Sequence, residues 1–192
     1  LRILLGFVVR QTVKYDRGIE PVFCYAREHF CRLHLRIVRG AKAADETLSH
    51  IGFIHQCKKC PYRKEQAGLH ALSLTCPLCG EPLHPIGPLW LGSIRRDGII
   101  QELKTLAGTQ DPGSKKDLVK LLDACEEELP TSSFYDYHVL AKRLGCSPPT
   151  ITTVMERIKE SGYAVSRTHF SGYGIRTEAP LQVILDAISA PQ

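Results

Sequence analysis

Apolar positions in the first forty residues follow a helical period and then a strand period. A helix is predicted over residues 1–15, where apolar side chains recur at i, i+3, i+4 and i+7, namely Leu1, Leu4, Leu5 and Val8. Residues 19–26 are apolar and rich in β-forming side chains. Residues 30–38 alternate between an apolar face and a basic face, the basic one carrying Arg32, His34 and Arg36. A helix followed by two strands on a short connection indicates the closing edge of an α/β sheet.

The middle of the chain is more polar and richer in turn residues. Residues 41–49 have helical propensity, and residues 84–92 contain the only tryptophan, Trp90, between prolines and glycines. A single tryptophan usually anchors a core, and we favour that interpretation over partial exposure for stacking on a base. A short helix is predicted over residues 97–106, closed by Gly108, and residues 109–114 are predicted to be a linker.

Beyond the linker the pattern is typical of a winged helix. The first helix begins at a capping box of Ser114 and Asp117, and a second is predicted over residues 134–144, capped by Ser133. A third is capped by Ser147, with Pro148 in its first turn. Helix, short turn and helix are followed by two predicted strands, over residues 163–170 and 175–179, and by a closing helix over residues 181–188.

Length and composition suit one large or two small globular domains. The chain has 192 residues, of which 43% are hydrophobic. It contains neither a secretory signal nor an apolar run of eighteen residues, so we expect no membrane span and a cytoplasmic protein. The sequence starts at Leu1 inside a helical pattern, and we expect it to be a piece of a longer protein.

The strongest motif is a pair of Cys-x-x-Cys knuckles. Cys57 and Cys60 are separated by fifteen residues from Cys76 and Cys79, which is the spacing of four-thiolate zinc sites. We predict that these four thiolates hold a zinc ion in a zinc ribbon, with strands at residues 55–57 and 70–76 that lead into the knuckles. Four protein ligands leave no open position for substrate, so the predicted zinc is structural.

Other interpretations of the cysteines are weaker. Two disulfides would need an oxidising compartment, and a redox Cys-x-x-Cys pair would need to be exposed and free of metal. The remaining cysteines lie in periodic segments, where small buried apolar side chains are expected: Cys24, Cys31, Cys125 and Cys146.

Positive charge is concentrated near the start of the chain. The net charge is +5, but residues 1–42 hold nine Lys or Arg against three Asp or Glu. Such a basic lobe suits a polyanionic partner, although it is also compatible with a solvated surface. The predicted nucleic-acid contacts are the basic strand face of Arg32, His34 and Arg36, the helix-opening Lys115 and Lys116, and the hairpin side chains Arg167, His169 and Arg176.

Each of the last two sets has a structural alternative. Lysines at the N-terminus of a helix interact unfavourably with the helix dipole, and an exposed helix can tolerate this small energetic cost. Arg167 and His169 share a strand face and can instead be tied up in hydrogen bonds inside the unit, with Ser166 and Thr168 facing out.

Several stretches together, in order, resemble the C-terminal half of tRNA guanine-26 N2-dimethyltransferases, most closely the archaeal ones. Besides the cysteine pairs, they are Arg2-Ile-Leu-Leu-Gly, His29-Phe-Cys-Arg-Leu-His-Leu-Arg36, Gly87-Pro-Leu-Trp-Leu-Gly92, Phe134-Tyr-Asp-Tyr-His138, Pro148-Pro149, Ser166-Arg-Thr-His-Phe170 and Arg176-Thr177. The resemblance covers nearly the whole chain. It implies an S-adenosylmethionine enzyme that methylates the exocyclic N2 of a tRNA guanine once or twice.

The resemblance also implies a division into domains. Residues 1–40 would be the C-terminal edge of a Rossmann-like methyltransferase sheet, residues 41–110 a connector and zinc ribbon, and residues 111–192 a winged-helix-like α+β domain that binds tRNA. The family's glycine-rich cofactor loop and Asp-Pro-Phe-Gly motif do not occur in this sequence. We therefore assign no catalytic or cofactor residue, expect S-adenosylmethionine to be bound by a preceding part, and expect this chain alone to be inactive.

A second function explains the pattern of residues 43–192 about equally well. A zinc ribbon and a winged helix also occur together in proteins that resemble transcription factors and bind DNA or a polymerase. That alternative does not explain the sheet-edge segment at residues 1–40 or the joint order of the motifs.

Overall fold

The computed structural model describes residues 1–110 and 113–190. The chain divides into two compact units, Leu1–Arg96 and Asp97–Gln192. The predicted boundaries after residues 40 and 110 differ from this division. Residues 41–96 join the first unit because their strands complete its core, and the helix after them joins the second unit because Lys104 forms ion pairs there with Asp123 and Glu126.

The first unit consists of two small sheets and two helices. In chain order its elements are α1 (Arg2–Thr12), β1 (Arg17–Arg27), β2 (Phe30–Arg39), α2 (Ala41–Ser49), β3 (Ile51–Cys57), β4 (Arg63–Ala67) and β5 (Leu83–Trp90). A short 3₁₀ turn, Val13–Tyr15, follows α1. β1 and β2 pair antiparallel, and the second sheet has the order β4-β3-β5. The predicted helix and two strands at residues 1–38 are thus present, with β1 three residues longer than predicted and β2 one residue longer.

The core of this unit joins both sheets to α1. Its buried members come from α1, β1, β3 and β5: Leu5, Val9, Ile19, Cys24, Ile51 and Trp90. Trp90 is 3% exposed, so the prediction that it anchors a core is confirmed. A buried tryptophan ring contributes a large apolar area to such a core.

The turn-rich stretch at residues 84–92 is a strand, not a loop. β5 pairs with β3 from Ile51 opposite Trp90 to Cys57 opposite Leu83. A strand can contain Pro85 and Pro88 here because β5 lies at an edge of its sheet, where missing amide donors are tolerated. The predicted strand at residues 70–76 is wrong, apart from a single bridge between Thr75 and Pro82.

The second unit is a helical layer with a small antiparallel sheet. Its elements are α3 (Ile99–Thr109), α4 (Lys115–Glu127), β6 (Tyr135–Asp136), α5 (Tyr137–Leu144), α6 (Ile151–Glu160), β7 (Val165–Arg167), β8 (Gly174–Thr177) and α7 (Leu181–Ser189). The sheet order is β6-β8-β7. Its core is the apolar stripes of α5, α6 and α7 packed on the sheet, with Ala141, Val154, Ile158, Ile175 and Ile184 completely buried.

Several predicted helix caps are wrong, although the helices are present. Asp136, not Ser133, caps α5 by accepting a hydrogen bond from the Val139 amide at 3.0 Å. Thr150, not Ser147, caps α6 by accepting from the Thr153 amide at 3.2 Å. Ser114 precedes α4 without a side-chain capping bond. In the predicted linker at residues 109–114, Asp111 and Pro112 lie outside the described residues.

Gly6 brings α1 against β5, which gives a first prediction. A β-carbon at Gly6 would lie 2.8 Å from both Leu89 Cα and Pro88 O. These are backbone atoms of a paired strand, which can shift only at a cost in free energy. Gly6→Ala should therefore lower the free energy of unfolding by about 1–3 kcal/mol, the usual cost of overpacking. Denaturant titration of the purified chain measures this.

Gly108→Ala is the matched control for Gly6→Ala. Gly108 is also helical, in α3, and a β-carbon there meets no atom within 4 Å. Alanine should stabilise that helix by up to about 1 kcal/mol. Equal effects of the two variants would mean that the close approach of α1 to β5 is not a constraint.

Candidate metal centre and cationic surfaces

The two cysteine pairs form two tight turns at one end of the β3 sheet. β3 delivers Cys57, whose amide donates to Tyr62 O at 3.0 Å, and the Cys60 amide donates to Cys57 Sγ at 3.4 Å. In the second turn the Gly80 amide donates to Cys76 O at 3.0 Å. Gly80 has φ +73°, a left-handed conformation that glycine adopts without strain.

The four sulfur atoms converge on a single point. All pairs of Sγ atoms lie within 4.8 Å, with Cys57 to Cys79 at 3.4 Å, Cys60 to Cys76 at 3.5 Å and Cys60 to Cys79 at 3.8 Å. A tetrahedron with Zn–S bonds of ~2.3 Å has S···S edges of about 3.8 Å, whereas a disulfide needs about 2.05 Å. The arrangement therefore suits a four-coordinate metal ion and contains no disulfide.

The cysteine thiols differ in acidity. The Cys60 amide donates to the Cys57 sulfur and lowers the pKa of that thiol to about 7. Burial raises the pKa of Cys60 to about 12. A cation among the sulfurs would favour the thiolate form of all four groups, because it supplies the opposite charge that a buried thiolate lacks.

The two knuckles are also linked outside the sulfur cluster. Lys59 Nζ in the first lies 3.5 Å from Glu81 Oε1 beyond the second. Both side chains are largely exposed, so this pair contributes little. Leu83 packs with the buried Cys57 and Cys76, whereas Cys60 and Cys79 are half-buried.

The predicted basic face of β2 is exposed. Arg32, His34 and Arg36 all point to solvent, and Leu33 and Leu35 between them are half-buried. Arg36 lies 3.4 Å from Glu20 on the paired strand, and Arg32 lies 5.8 Å from the ring of Phe30. Both cations therefore stand at the surface of the first unit in defined positions.

Three cations of the second unit also reach its surface. Lys115 and Lys116 open α4, where Lys115 Nζ lies 3.5 Å from Gly108 O and Lys116 is exposed. Arg167 at the end of β7 is exposed and lies 3.4 Å from Thr152 Oγ1.

The other two hairpin cations are buried, contrary to their predicted exposure. Arg176 is 6% exposed and its Nε donates to Glu128 Oε1 at 2.6 Å. His169 Nδ1 lies 2.5 Å from Glu128 Oε2. Arg176 also donates to the carbonyls of Thr131 and Ser133. Neither side chain is available to a phosphate, because both contact Glu128 and Arg176 also bonds to the loop after α4.

The predicted alternative for the hairpin is right for His169 and wrong for its neighbours. Ser166 and Thr168 face inward, with Ser166 Oγ accepting from the Leu129 amide at 2.9 Å and Thr168 Oγ1 donating to Ser171 O at 3.0 Å. Arg167 faces solvent instead.

Sequence reasoning missed Glu128 as a structural residue. It is the third of three consecutive glutamates and lies one residue beyond α4, and it is buried whereas the two before it are exposed. Burial alone would raise the pKa of Glu128, but the hydrogen bond with His169 and the charge of Arg176 outweigh burial and hold that pKa below its usual value near 4.5.

Among the helices that the structure describes, none has the length and apolar character that crossing a bilayer requires.

Comparisons with known proteins agree over nearly the whole chain. The family model described as N2,N2-dimethylguanosine tRNA methyltransferase matches residues 1–189. A tRNA (guanine(26)-N(2))-dimethyltransferase of Methanoregula boonei is 56% identical over 188 residues, covering 98% of this chain and 50% of the relative. That of Methanoculleus marisnigri is 50% identical over 189 residues, covering 98% of this chain and 51% of the relative.

A solved structure is similar as well. The complex of Trm1 from Pyrococcus horikoshii with S-adenosyl-L-methionine matches with a TM-score of 0.85 and 32% identity, over 97% of this chain and 48% of that chain. The chain thus spans about half the length of the curated relatives that it matches.

The buried Glu128 predicts how the second unit responds to mutation and acid. Glu128→Gln removes the charge that faces Arg176 and should lower the free energy of unfolding by about 3–5 kcal/mol at neutral pH. Because the folded-state pKa of Glu128 is lowered, its contribution is complete above about pH 4.5 and is lost as pH falls through the lowered value. Unfolding curves recorded between neutral and acid pH measure both effects.

Glu127→Gln is the control for Glu128→Gln, since Glu127 is the adjacent, exposed glutamate. It should change stability by less than about 0.5 kcal/mol. If both variants unfold alike at every pH, Glu128 does not stabilise this unit.

Proposed function

Because the chain belongs to the N2,N2-dimethylguanosine tRNA methyltransferase family, we propose that it is part of an enzyme that methylates N2 of guanine 26 in tRNA, once or twice. The match over residues 1–189 carries this proposal. The family resemblance inferred from the ordered motifs is confirmed by that match. The comparisons give no support to the DNA-binding alternative.

The reaction requires the RNA to be bound in a fixed orientation. The lone pair of a guanine N2 is delocalised into the ring, so the amine must be held in line with the methyl group that S-adenosylmethionine supplies. The target base must leave its stack to be reached. We propose that S-adenosylmethionine is bound by residues outside this chain, and that this chain binds the folded RNA.

The basic side chains at the surface of each unit are the proposed RNA contacts. On the first unit they are Arg32, His34 and Arg36, and on the second they are Lys115, Lys116 and Arg167. Side chains of this kind contact phosphates and fix orientation without reading sequence. Recognition of a folded RNA by shape and phosphates needs such a surface. His169 and Arg176 are not included, since both are buried against Glu128.

We also propose that residues 135–189 are a winged helix. Supporting this are the pair α5 and α6, joined by a turn at Gly145 with φ +70°, and the hairpin β7–β8 directly after α6. Arg167 on the hairpin approaches Thr152 on α6, which brings a cation next to the hydroxyl-rich start of that helix.

For the four cysteines we propose a structural zinc in a zinc ribbon. Cys57, Cys60, Cys76 and Cys79 would hold it, and the ion would cross-link the two knuckles. Support comes from the convergence of four sulfurs at tetrahedral spacing and from the pairing of β3 with β4 and β5 next to them. A site of this kind contributes folding free energy, not catalysis.

Metal analysis tests the zinc proposal. The chain purified without chelator should contain one zinc ion, and Cys76→Ser should reduce its content and increase protease sensitivity between residues 50 and 90. Cys31→Ser is the control, because Cys31 is exposed and lies outside the sulfur cluster. Zinc absent from the wild type, or retained equally by both variants, would defeat the proposal.

The salt dependence of tRNA binding tests the proposed RNA contacts. Replacing Arg32 by Gln should lower the slope of log K against log salt by about 0.7–0.9, the value for one lost phosphate contact. Affinities for different tRNAs should fall by similar factors. Arg39→Gln is matched in charge and strand but lies on the opposite face of β2, so its slope should not change. Equal slopes for both variants would exclude the basic face of β2 as an RNA contact.

A further inference from the structure

An aromatic side chain is exposed on the turn between β7 and β8. Tyr173 is 53% exposed and does not belong to the buried core of the second unit. Its ring packs against that of His138 in α5, with centroids 4.2 Å apart. His138 in turn contacts the buried ring of Tyr137 edge-on, at 4.5 Å. This row of three rings therefore begins in the core and ends at a tyrosine whose outer side faces solvent.

The turn holds Tyr173 in a fixed position without using its ring. The Tyr173 amide donates to Ser171 Oγ at 3.3 Å, and its carbonyl accepts from the Tyr137 amide at 3.1 Å. Thr168 closes the turn, since its amide donates to Gly174 O at 3.1 Å and its hydroxyl to Ser171 O at 3.0 Å. Backbone groups and short side chains thus shape the turn, and the exposed ring is in place before any ligand binds.

A groove continues from the row of rings along α5. Its volume is about 620 Å³, and His138, Lys142 and the turn after α5 line it. Lys142 follows His138 by four residues, so it lies on the same face of α5, one turn further on. Within the described part of the chain, the Lys142 ammonium group has no hydrogen-bond or ion-pair partner. Asp136 also lines the groove, but it lies at the other end of α5 and its carboxylate accepts from the Val139 amide.

A second cation approaches the rings from the hairpin. Arg167 lies opposite Ile175 in the β7–β8 pairing, two residues from Tyr173. Arg167 is exposed, and its contact with Thr152 Oγ1 is long, at 3.4 Å. Burial raises the pKa of Tyr137, and the charge of Arg167 opposes that rise. The guanidinium group is therefore within electrostatic reach of the same rings.

We propose that Tyr173 is a stacking platform for an unpaired base of RNA, with Arg167 and Lys142 contacting the phosphates next to that base. Proteins hold single-stranded RNA by stacking bases on aromatic side chains while cations follow the backbone. Lys142 next to the rings favours RNA over a protein partner, because lysine is depleted in protein interfaces. The proposal rests on the proposed RNA-binding function and deepens it, since stacking holds a base whereas surface cations hold phosphates.

Variants of Tyr173 separate stacking from charge. Tyr173→Leu should weaken the binding of tRNA to the chain by about tenfold, the effect of one lost base stack, whereas Tyr173→Phe keeps the ring and should bind within about twofold of the wild type. Tyr173→Leu should leave the slope of log K against log salt unchanged, because stacking neutralises no phosphate; Arg167→Gln should lower it by about 0.7–0.9. Tyr163→Leu is the control, since Tyr163 is an exposed tyrosine of the same unit outside the row of rings.

A fluorescent base reports the stacking directly. The wild type and Tyr173→Phe should quench 2-aminopurine in a short single-stranded oligoribonucleotide on binding, and Tyr173→Leu should not, with thermal melting used to show that each variant is folded. The wild-type result does not depend on how the variants fold, and its failure to quench the probe would overturn the proposal.

Equal tRNA affinities of Tyr173→Leu and the wild type would also overturn it and leave a protein partner as the occupant of the ring. So would an equal loss of affinity in Tyr163→Leu. A lowered salt slope in Arg167→Gln combined with normal binding by Tyr173→Leu would overturn the stacking site alone and leave the RNA-binding function standing. A chain that binds no tRNA would overturn both.

Discussion

The first unit depends on how α1 holds the end of β5. Arg2 donates to the carbonyls of Trp90 and Gly92 at 3.0 and 2.8 Å, and Arg10 donates to that of Pro88 at 3.0 Å. A backbone carbonyl without a protein donor would rely on water for its hydrogen bond. The absence of a side chain at Gly6 allows the helix to approach closely enough for both contacts. Helix and strand are almost ninety residues apart in sequence, so the order of this unit comes from tertiary contact.

The second unit meets a different constraint, since it buries a carboxylate. Glu128 is 4% exposed, and removing a charge from water costs several kcal/mol unless partners replace the hydration. Here Arg176 and His169 from the hairpin are those partners. Arg176 also donates hydrogen bonds to two backbone carbonyls of the loop after α4. The network thus fixes the loop to the hairpin, which apolar packing alone would not do, because hydrogen bonds have direction. A hairpin of three- and four-residue strands gains its position from these bonds.

Periodicity and spacing were enough to predict the long elements and the convergence of four cysteines. The apolar stripe of α6 and the alternation of β2 are local signals, and four sulfurs at fixed spacing impose their own geometry. By contrast, β5 contains two prolines and a glycine, which locally indicate turns, and it is a strand only because β3 offers a partner. The inward turn of Arg176 could not be predicted either, since a basic residue on a hairpin is usually exposed and Glu128 lies 48 positions away. These two failures therefore lie where a distant residue decides the outcome.

The ladder that ends at the cysteines begins at Trp90. Cys57 lies opposite Leu83 at one end of the β3–β5 pairing, and Ile51 lies opposite Trp90 at the other. Between these ends His55 is completely buried, with its Nε2 2.8 Å from Gln66 Oε1 on β4. This contact links β4 to β3 through side chains as well. A metal ion that cross-links the knuckles would restrict fraying of β3 and β5 from the cysteine end. Because strand pairing is cooperative along a short ladder, that restriction would also stabilise the turn after Trp90. A closed metal site without catalytic chemistry would in this way stabilise the far end of the sheet through strand pairing alone.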